Sequence, residues 1–203
     1  MNELFQPRQL EPETTQAADG MPRRPWTLAE IEAMVAAGII DEDERFELIG
    51  GEVVPMSPKG ARHEIVKIEL NRHLQRTVPD DVQVAQETTL RLDEKSFIEP
   101  DFVVFPRSVA IEDLRGHHVL LAIEVADSSL HYDLGRKIGI YAAWGIAEVW
   151  VIEAETLVTH VFRKLGTEAY GDRFVAKPDD TLAGALVPRV HVSLTALGLR
   201  PGR

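Results

Sequence analysis

Glu124 is the only charged residue in VLLAIEVA, residues 119–126, a run apolar enough for a strand covered on both faces. Burying an unpaired carboxylate is costly, so a metal ion, a lysine or an arginine must compensate it, or the side chain must reach a strand end. Asp101, in IEPDFVVF (98–105), leads a row shared with Val103 and Phe105. Pro100 can open that strand without donating to a ladder, and Asp101 then reads either as a ligand or as a solvated strand end. Lys137 falls on the stripe Leu134, Lys137, Ile138, Tyr141, which should face the sheet. Its ammonium either meets Glu124 across the layer or snorkels outward along its aliphatic stem. His63 begins the stripe His63, Val66, Leu70, Leu74 and should point inward, as a ligand or as a satisfied core residue. Glu47, inside a hairpin, either reaches inward or lines a solvent face.

Two carboxylates on neighbouring strands, a lysine on the next helix and a histidine from an earlier one form a coherent set. Asp and Glu oxygens are the hard ligands that Mg²⁺ or Mn²⁺ takes, and few are needed because Mg²⁺ keeps waters and accepts substrate phosphate oxygens. A nearby ammonium can orient water or stabilise a charged transition state. The set points to metal-assisted phosphodiester hydrolysis. Other chemistries lack their motifs: there is no GxGxxG after a strand, no GxxxxGK[ST] and no HExxH. His117 and His118 are adjacent and cannot form a helical zinc pair. Ser128 and Ser129 lie near His131 but have no GxSxG elbow.

The elements that must position these residues can be read in order. Thr27 and Glu30 make a capping box for a short helix ending at Gly38. RFELIGGEVVPMSP, residues 45–58, reads as a β-hairpin turning at Gly50-Gly51. Residues 61–77 read as a helix, and 82–92 and 98–105 as two strands joined by Asp93-Glu94-Lys95. The run 119–126 is the buried strand, 133–144 a helix, and 148–153 and 157–162 further strands; a crossover joins the buried strand to 148–153. The segment 170–199 reads as one or two edge strands and a closing turn of helix from Ser193. The pattern predicts an α/β fold: a mixed central sheet flanked by helices, with an N-terminal helix and hairpin. Residues 1–24 are polar, hold three prolines and predict a flexible tail, leaving 25–203 as a single domain.

The chain of 203 residues is long enough for a full core, and its 44% hydrophobic and 27% charged residues are globular in proportion. No cysteine is present, which excludes disulfides, thiolate metal sites and a cysteine nucleophile. No apolar run approaches the roughly 20 residues of a membrane helix, and no signal peptide is visible, so a cytoplasmic protein without membrane contact is expected. The net charge of −11 opposes non-specific nucleic-acid binding. The densest basic stretch, Lys59, Arg62, Lys67, Arg72 and Arg76, can supply phosphate contacts or an ordinary solvated face. Apolar strands near the C-terminus predict a homodimer.

The string 45–58 followed by His63 resembles the Uma2 endonuclease family. So do Pro100-Asp101, Glu124-Val125, Asp133-x3-Lys137-x3-Tyr141-x3-Gly145 and Ala147-Glu148-Val149-Trp150. The resemblance runs from about Trp26 to the last strands and implies the restriction-endonuclease-like core of the PD-(D/E)xK superfamily. It implies Asp101 and Glu124 as ligands of Mg²⁺ or Mn²⁺, with a backbone carbonyl near Val125 completing the set, and DNA as substrate. The position two after Glu124, lysine in the superfamily signature, is Ala126; the family supplies the lysine from the following helix, here Lys137. A further departure is Asp127 where the family has a Ser-Pro-Ser-Thr-like turn, adding a carboxylate able to compete for metal. The leading expectation is a metal-dependent DNA endonuclease using Asp101, Glu124 and Lys137, supported by His63, Glu47 and Tyr141. The alternatives are a catalytically silent nuclease-fold module binding a protein or nucleic acid, and a metal-dependent hydrolase of a small phosphorylated or acidic metabolite.

Overall fold

The structure, a computed structural model, describes residues 24–167 and 169–202. All of the expected tail 1–24 except Arg24 lies outside the described residues. Helix α1 (Leu28–Ala36) opens on the capping box: Glu30 N–H donates to the Thr27 hydroxyl, and Thr27 N–H donates back to Glu30. Strands β1 (Phe46–Ile49) and β2 (Glu52–Pro55) form the hairpin, and α2 spans Ala61–Thr77. Gly51 is required by this turn. It has φ +83°, and a Cβ there would lie 2.4 Å from Pro25 Cβ and 2.7 Å from Trp26 N. Gly51→Ala is therefore expected to cost about 1–3 kcal/mol, read as a lower urea midpoint at unchanged slope.

Here the chain departs from its sequence reading. The expected strand 82–92 is two, β3 (Val82–Gln86) and β4 (Leu90–Asp93), and 98–105 is likewise split into β5 (Ser96–Ile98) and β6 (Phe102–Pro106). The members of each pair lie in different sheets. β4 and β5 join the hairpin in a four-stranded sheet of order β2-β1-β5-β4. β3 and β6 enter the main six-stranded sheet. The breaks coincide: Glu87 takes φ +45°, and its N–H donates to Asp101 O at 3.2 Å. Asp101 thus stands at the corner between two sheets, just before β6 rather than inside it. The corners themselves are polar, Gln86-Glu87-Thr88-Thr89 and Glu99-Pro100-Asp101, without a glycine to mark a turn, which is why the sequence reads as unbroken strands.

The main sheet runs β10-β9-β8-β7-β6-β3, with β7 (Leu121–Ala126), β8 (Val149–Glu153), β9 (Thr159–Leu165) and β10 (Tyr170–Ala176). Only β7 and β8 pair in parallel, as the expected crossover demands. Between them lies a helical run of α3 (Leu130–Tyr132), a π turn (Asp133–Lys137) and α4 (Ile138–Ala143). The C-terminal segment adds a small ribbon of β11 (Leu182–Ala183) and β12 (His191–Val192), and hydrogen-bonded turns follow Ser193 in place of a closing helix.

Each face of the main sheet is covered. Val66, Leu70 and Leu74 of α2 pack with Phe102, Val104, Leu121, Ile123 and Val125 on one face. Ile138, Tyr141 and Trp144 pack with Val103, Phe105, Ala122, Ala126, Val149 and Val151 on the other. Full burial is worth about 1.5–3 kcal/mol for each large side chain. Val149–Ile152, the apolar residues behind the expected homodimer, are core residues, so that ground for self-association is removed. No helix among the described residues is long and apolar enough to cross a membrane.

Candidate active site

Alternation along β7 decides where Glu124 points. Leu121, Ile123 and Val125 pack toward α2, whereas Ala122, Glu124 and Ala126 face the helical run 130–143. The two alanines are small, and they leave room beside the carboxylate for long side chains from that run. Lys137 Nζ lies 2.8 Å from Glu124 Oε1, and the Tyr141 hydroxyl donates to the same oxygen. Glu47, from the neighbouring hairpin, meets Lys137 Nζ at 2.9 Å through Oε1. Its two oxygens are further held by Glu99 N–H at 3.1 Å and Tyr132 O–H at 3.4 Å. The π turn brings Asp133, four residues before Lys137, onto the same buried side, where Ser129 O–H donates to it at 2.5 Å.

Asp101 completes the cluster from the sheet corner. Its Oδ2 accepts Val125 N–H at 2.8 Å and lies 3.1 Å from His63 Nε2; its Oδ1 accepts Lys59 Nζ at 2.8 Å. His63 Nδ1 faces Glu64 Oε1 at 3.1 Å. Lys59 also donates to Glu87, which Lys67 reaches at 3.0 Å. Glu47, Lys59, His63, Asp101, Glu124 and Lys137 line a cleft of about 320 Å³ bordered by Ser57, Pro58, Asp127 and Ser128. Asp101, Glu124 and Lys137 are each 4% exposed, and Glu47 2%.

The charges in so dry a place perturb one another. Burial first, then repulsion from Asp101 and Asp133, pushes the Glu124 carboxyl up to about 8 against the pull of Lys137. Burial also raises Asp133, against Lys137 and Ser129. Burial would lower Lys137, but Glu124, Glu47 and Asp133 outweigh it and hold the ammonium well above its ordinary value. Burial would raise Asp101, but His63 and Lys59 outweigh it and hold the carboxyl well below the usual range. Glu124 and Lys137 both move up, Glu124 chiefly through burial with Asp101 and Asp133 adding to it, and Lys137 through the carboxylates around it; the cleft holds more carboxylates than cations.

That imbalance bears on whether a divalent ion fits. Among the described residues no group of three or more His, Cys, Asp or Glu is arranged to hold a metal. Two carboxylates do converge on the cleft, and their oxygens are the hard donors that Mg²⁺ and Mn²⁺ take while keeping waters. Both donors to Glu124 fall on Oε1, and among the described residues none reaches Oε2. The donor chemistry and the missing positive charge therefore fit such an ion at Asp101 and Glu124.

All six residues singled out from sequence meet here: Asp101, Glu124, Lys137, Glu47, His63 and Tyr141. Three of the basic residues of α2 are engaged within the protein. Arg62 donates to Ala154 O and Arg200 O, Lys67 is buried against Glu64 and Glu87, and Arg72 pairs with Glu69. Sequence reasoning missed Asp133 as a site residue, although its spacing of four from Lys137 was a signal. It also missed Glu87 and Tyr132, which only the sheet corner and the π turn bring near. His117 and His118 pack against each other in a separate 3₁₀ turn, Gly116–His118.

The chain is an α/β protein with a mixed sheet, helices on both faces and a buried Asp/Glu/Lys cluster beside the sheet corner. The crystal structure of "a putative nuclease belonging to DUF820" from Anabaena variabilis ATCC 29413 superposes with a TM-score of 0.60 at 16% identity, covering 85% of this chain and 97% of that one. Residues 28–196 match the family model Uma2, described as "putative restriction endonuclease". The chain belongs to the Uma2 family. No curated protein matches it.

Proposed function

We propose that the protein is a Mg²⁺- or Mn²⁺-dependent endonuclease that hydrolyses phosphodiester bonds in DNA at the Asp101–Glu124–Lys137 cluster. The observation that carries this reading is Lys137 Nζ, buried 2.8 Å from a carboxylate that itself borders the cleft. Asp101 and Glu124 would hold the ion, which when bound supplies Lewis-acid stabilisation of charge developing on a phosphoryl oxygen. Everything else is done by the chain. Glu47 fixes Lys137 from the far side, so the ammonium keeps its place at the edge of the scissile centre, where it can orient an attacking water and offset negative charge. Tyr141 remains a phenol, raised by burial and by Glu124, and positions the Glu124 carboxylate by donating to it. His63 and Val125 N–H position Asp101 in the same way.

The test is cleavage of supercoiled plasmid and of single-stranded oligonucleotides with Mg²⁺ or Mn²⁺, set against EDTA and a Glu124→Gln control. Nicking that needs the ion and Glu124 supports the reading; nicking indifferent to both overturns it. One observation favours a second reading, a silent binding module. Lys59, Arg62, Lys67 and Arg72 are all engaged within the protein, and the overall charge is −11. DNA binding that weakens steeply with salt yet never leads to cleavage would favour it.

A further inference from the structure

Two lysines reach the metal-facing carboxylates, and they are held very differently. Lys137 is on a helical turn, 6% exposed along its side chain and clasped between Glu47 and Glu124. Lys59 is on the irregular connection between β2 and α2, and its side chain is 15% exposed. It borders both the cleft and an adjoining groove lined by Asp43, Arg45, Glu64, Lys67 and Glu87. Four single bonds carry its ammonium, so it can swing without moving backbone.

The position it occupies is decisive. Asp101 has two oxygens. Oδ2 is taken by Val125 N–H and His63 Nε2, both fixed by a strand and a helix. Oδ1 is the oxygen left for a cation, and Lys59 Nζ sits on it at 2.8 Å. An ammonium and a divalent ion on one carboxylate oxygen repel each other strongly in a cleft this dry. Glu87 offers Lys59 somewhere else to go: it already accepts Lys59, and it carries Lys67 and Arg45 beside it.

We propose that Lys59 is a tethered cation that occupies the metal-facing oxygen of Asp101 and is displaced onto Glu87 when a divalent ion binds, so that it sets the site's metal affinity. The inference rests on the reading of Asp101 and Glu124 as the ion's ligands. Lys59 neutralises Asp101 in the metal-free protein, and the exchange raises the local charge by one unit instead of two. Loss of Lys59 removes both a competitor and a like charge, whereas loss of Glu87 removes the alternative seat and drives Lys59 back onto Asp101.

The test is calorimetric titration of Mn²⁺ into the full chain and into Lys59→Met, Glu87→Gln and the double variant, each with its thermal midpoint measured as a folding control. Lys59→Met is expected to bind Mn²⁺ about tenfold more tightly than wild type, about 1.4 kcal/mol. Glu87→Gln is expected to weaken binding while Lys59 is present and to have little effect in the Lys59→Met background. Affinity unchanged or reduced in Lys59→Met, or an equal effect of Glu87→Gln in both backgrounds, overturns the proposal while leaving the metal site standing. Mn²⁺ binding absent from both wild type and Lys59→Met removes the metal site itself, and the proposal with it.

Discussion

Glu124→Gln is expected to lower phosphodiester cleavage by about 10³-fold while the protein folds normally. The amide oxygen of glutamine still accepts from Lys137 and Tyr141, so the packing around the position survives, but the anionic donor to the ion is gone. Stability should change in an informative direction. The folded Glu124 carboxyl lies near 8, above its ordinary value of 4.5. Its contribution to stability is therefore complete below about pH 4.5 and is lost as pH rises through about 8. In EDTA, the thermal midpoint of wild type should fall further between pH 5 and pH 9 than that of Glu124→Gln, which has no proton to lose there. Scanning calorimetry at several pH values checks this; parallel curves for the two proteins would show that the Glu124 carboxyl is unperturbed.

Lys137→Met is expected to be the more damaging change to the fold. Glu47 and Glu124 would then share a dry site without the ammonium that bridges them at 2.9 and 2.8 Å. Breaking a buried pair by removing one partner costs about 3–5 kcal/mol, because the remaining charge is uncompensated. The carboxylates can escape the cost only by taking up protons, so the loss should be larger at pH 8 than at pH 5. Cleavage should be abolished at both. Urea unfolding is the measurement, and Lys137→Met combined with Glu47→Gln and Glu124→Gln should recover much of the loss. A single variant as stable as wild type at pH 8 would mean that Lys137 is not the counter-ion of this cluster.

The parts of the site that were legible in the sequence are those where a charged residue interrupts a strong periodic pattern. Glu124 stands out because seven apolar neighbours surround it, and Lys137 because it falls on a helical stripe that must face the sheet. Their meeting follows from adjacency along the chain: β7 leads directly into the helix that carries Lys137. The corner between the sheets was not legible. The polar run Gln86-Glu87-Thr88-Thr89 holds no glycine or proline to mark a corner, and Pro100 equally suits the first residue of a strand, so neither the positive φ of Glu87 nor the change of sheet could be read locally. Lys59 was hidden for a related reason. It sits in a basic stretch that reads as a solvated face, and only the three-dimensional corner sets it on Asp101.

Burial alone would have misled. Glu148 is 1% exposed and its carboxyl is raised by burial, much like Glu124. Yet Trp150 Nε1 donates to one of its oxygens at 2.8 Å and Ala185 N–H to the other at 2.6 Å. Both oxygens are used, and the residue fastens the C-terminal segment to β8. What distinguishes Glu124 is an oxygen that no donor among the described residues reaches, at the edge of a cleft.

The most direct measurement of the central claim is titration of Mn²⁺ into wild type, Asp101→Asn and Glu124→Gln, with and without a DNA duplex. The account predicts one site in wild type, lost in both variants, and tightened by the duplex. Binding that persists in both variants, or none to wild type even with DNA present, would contradict it.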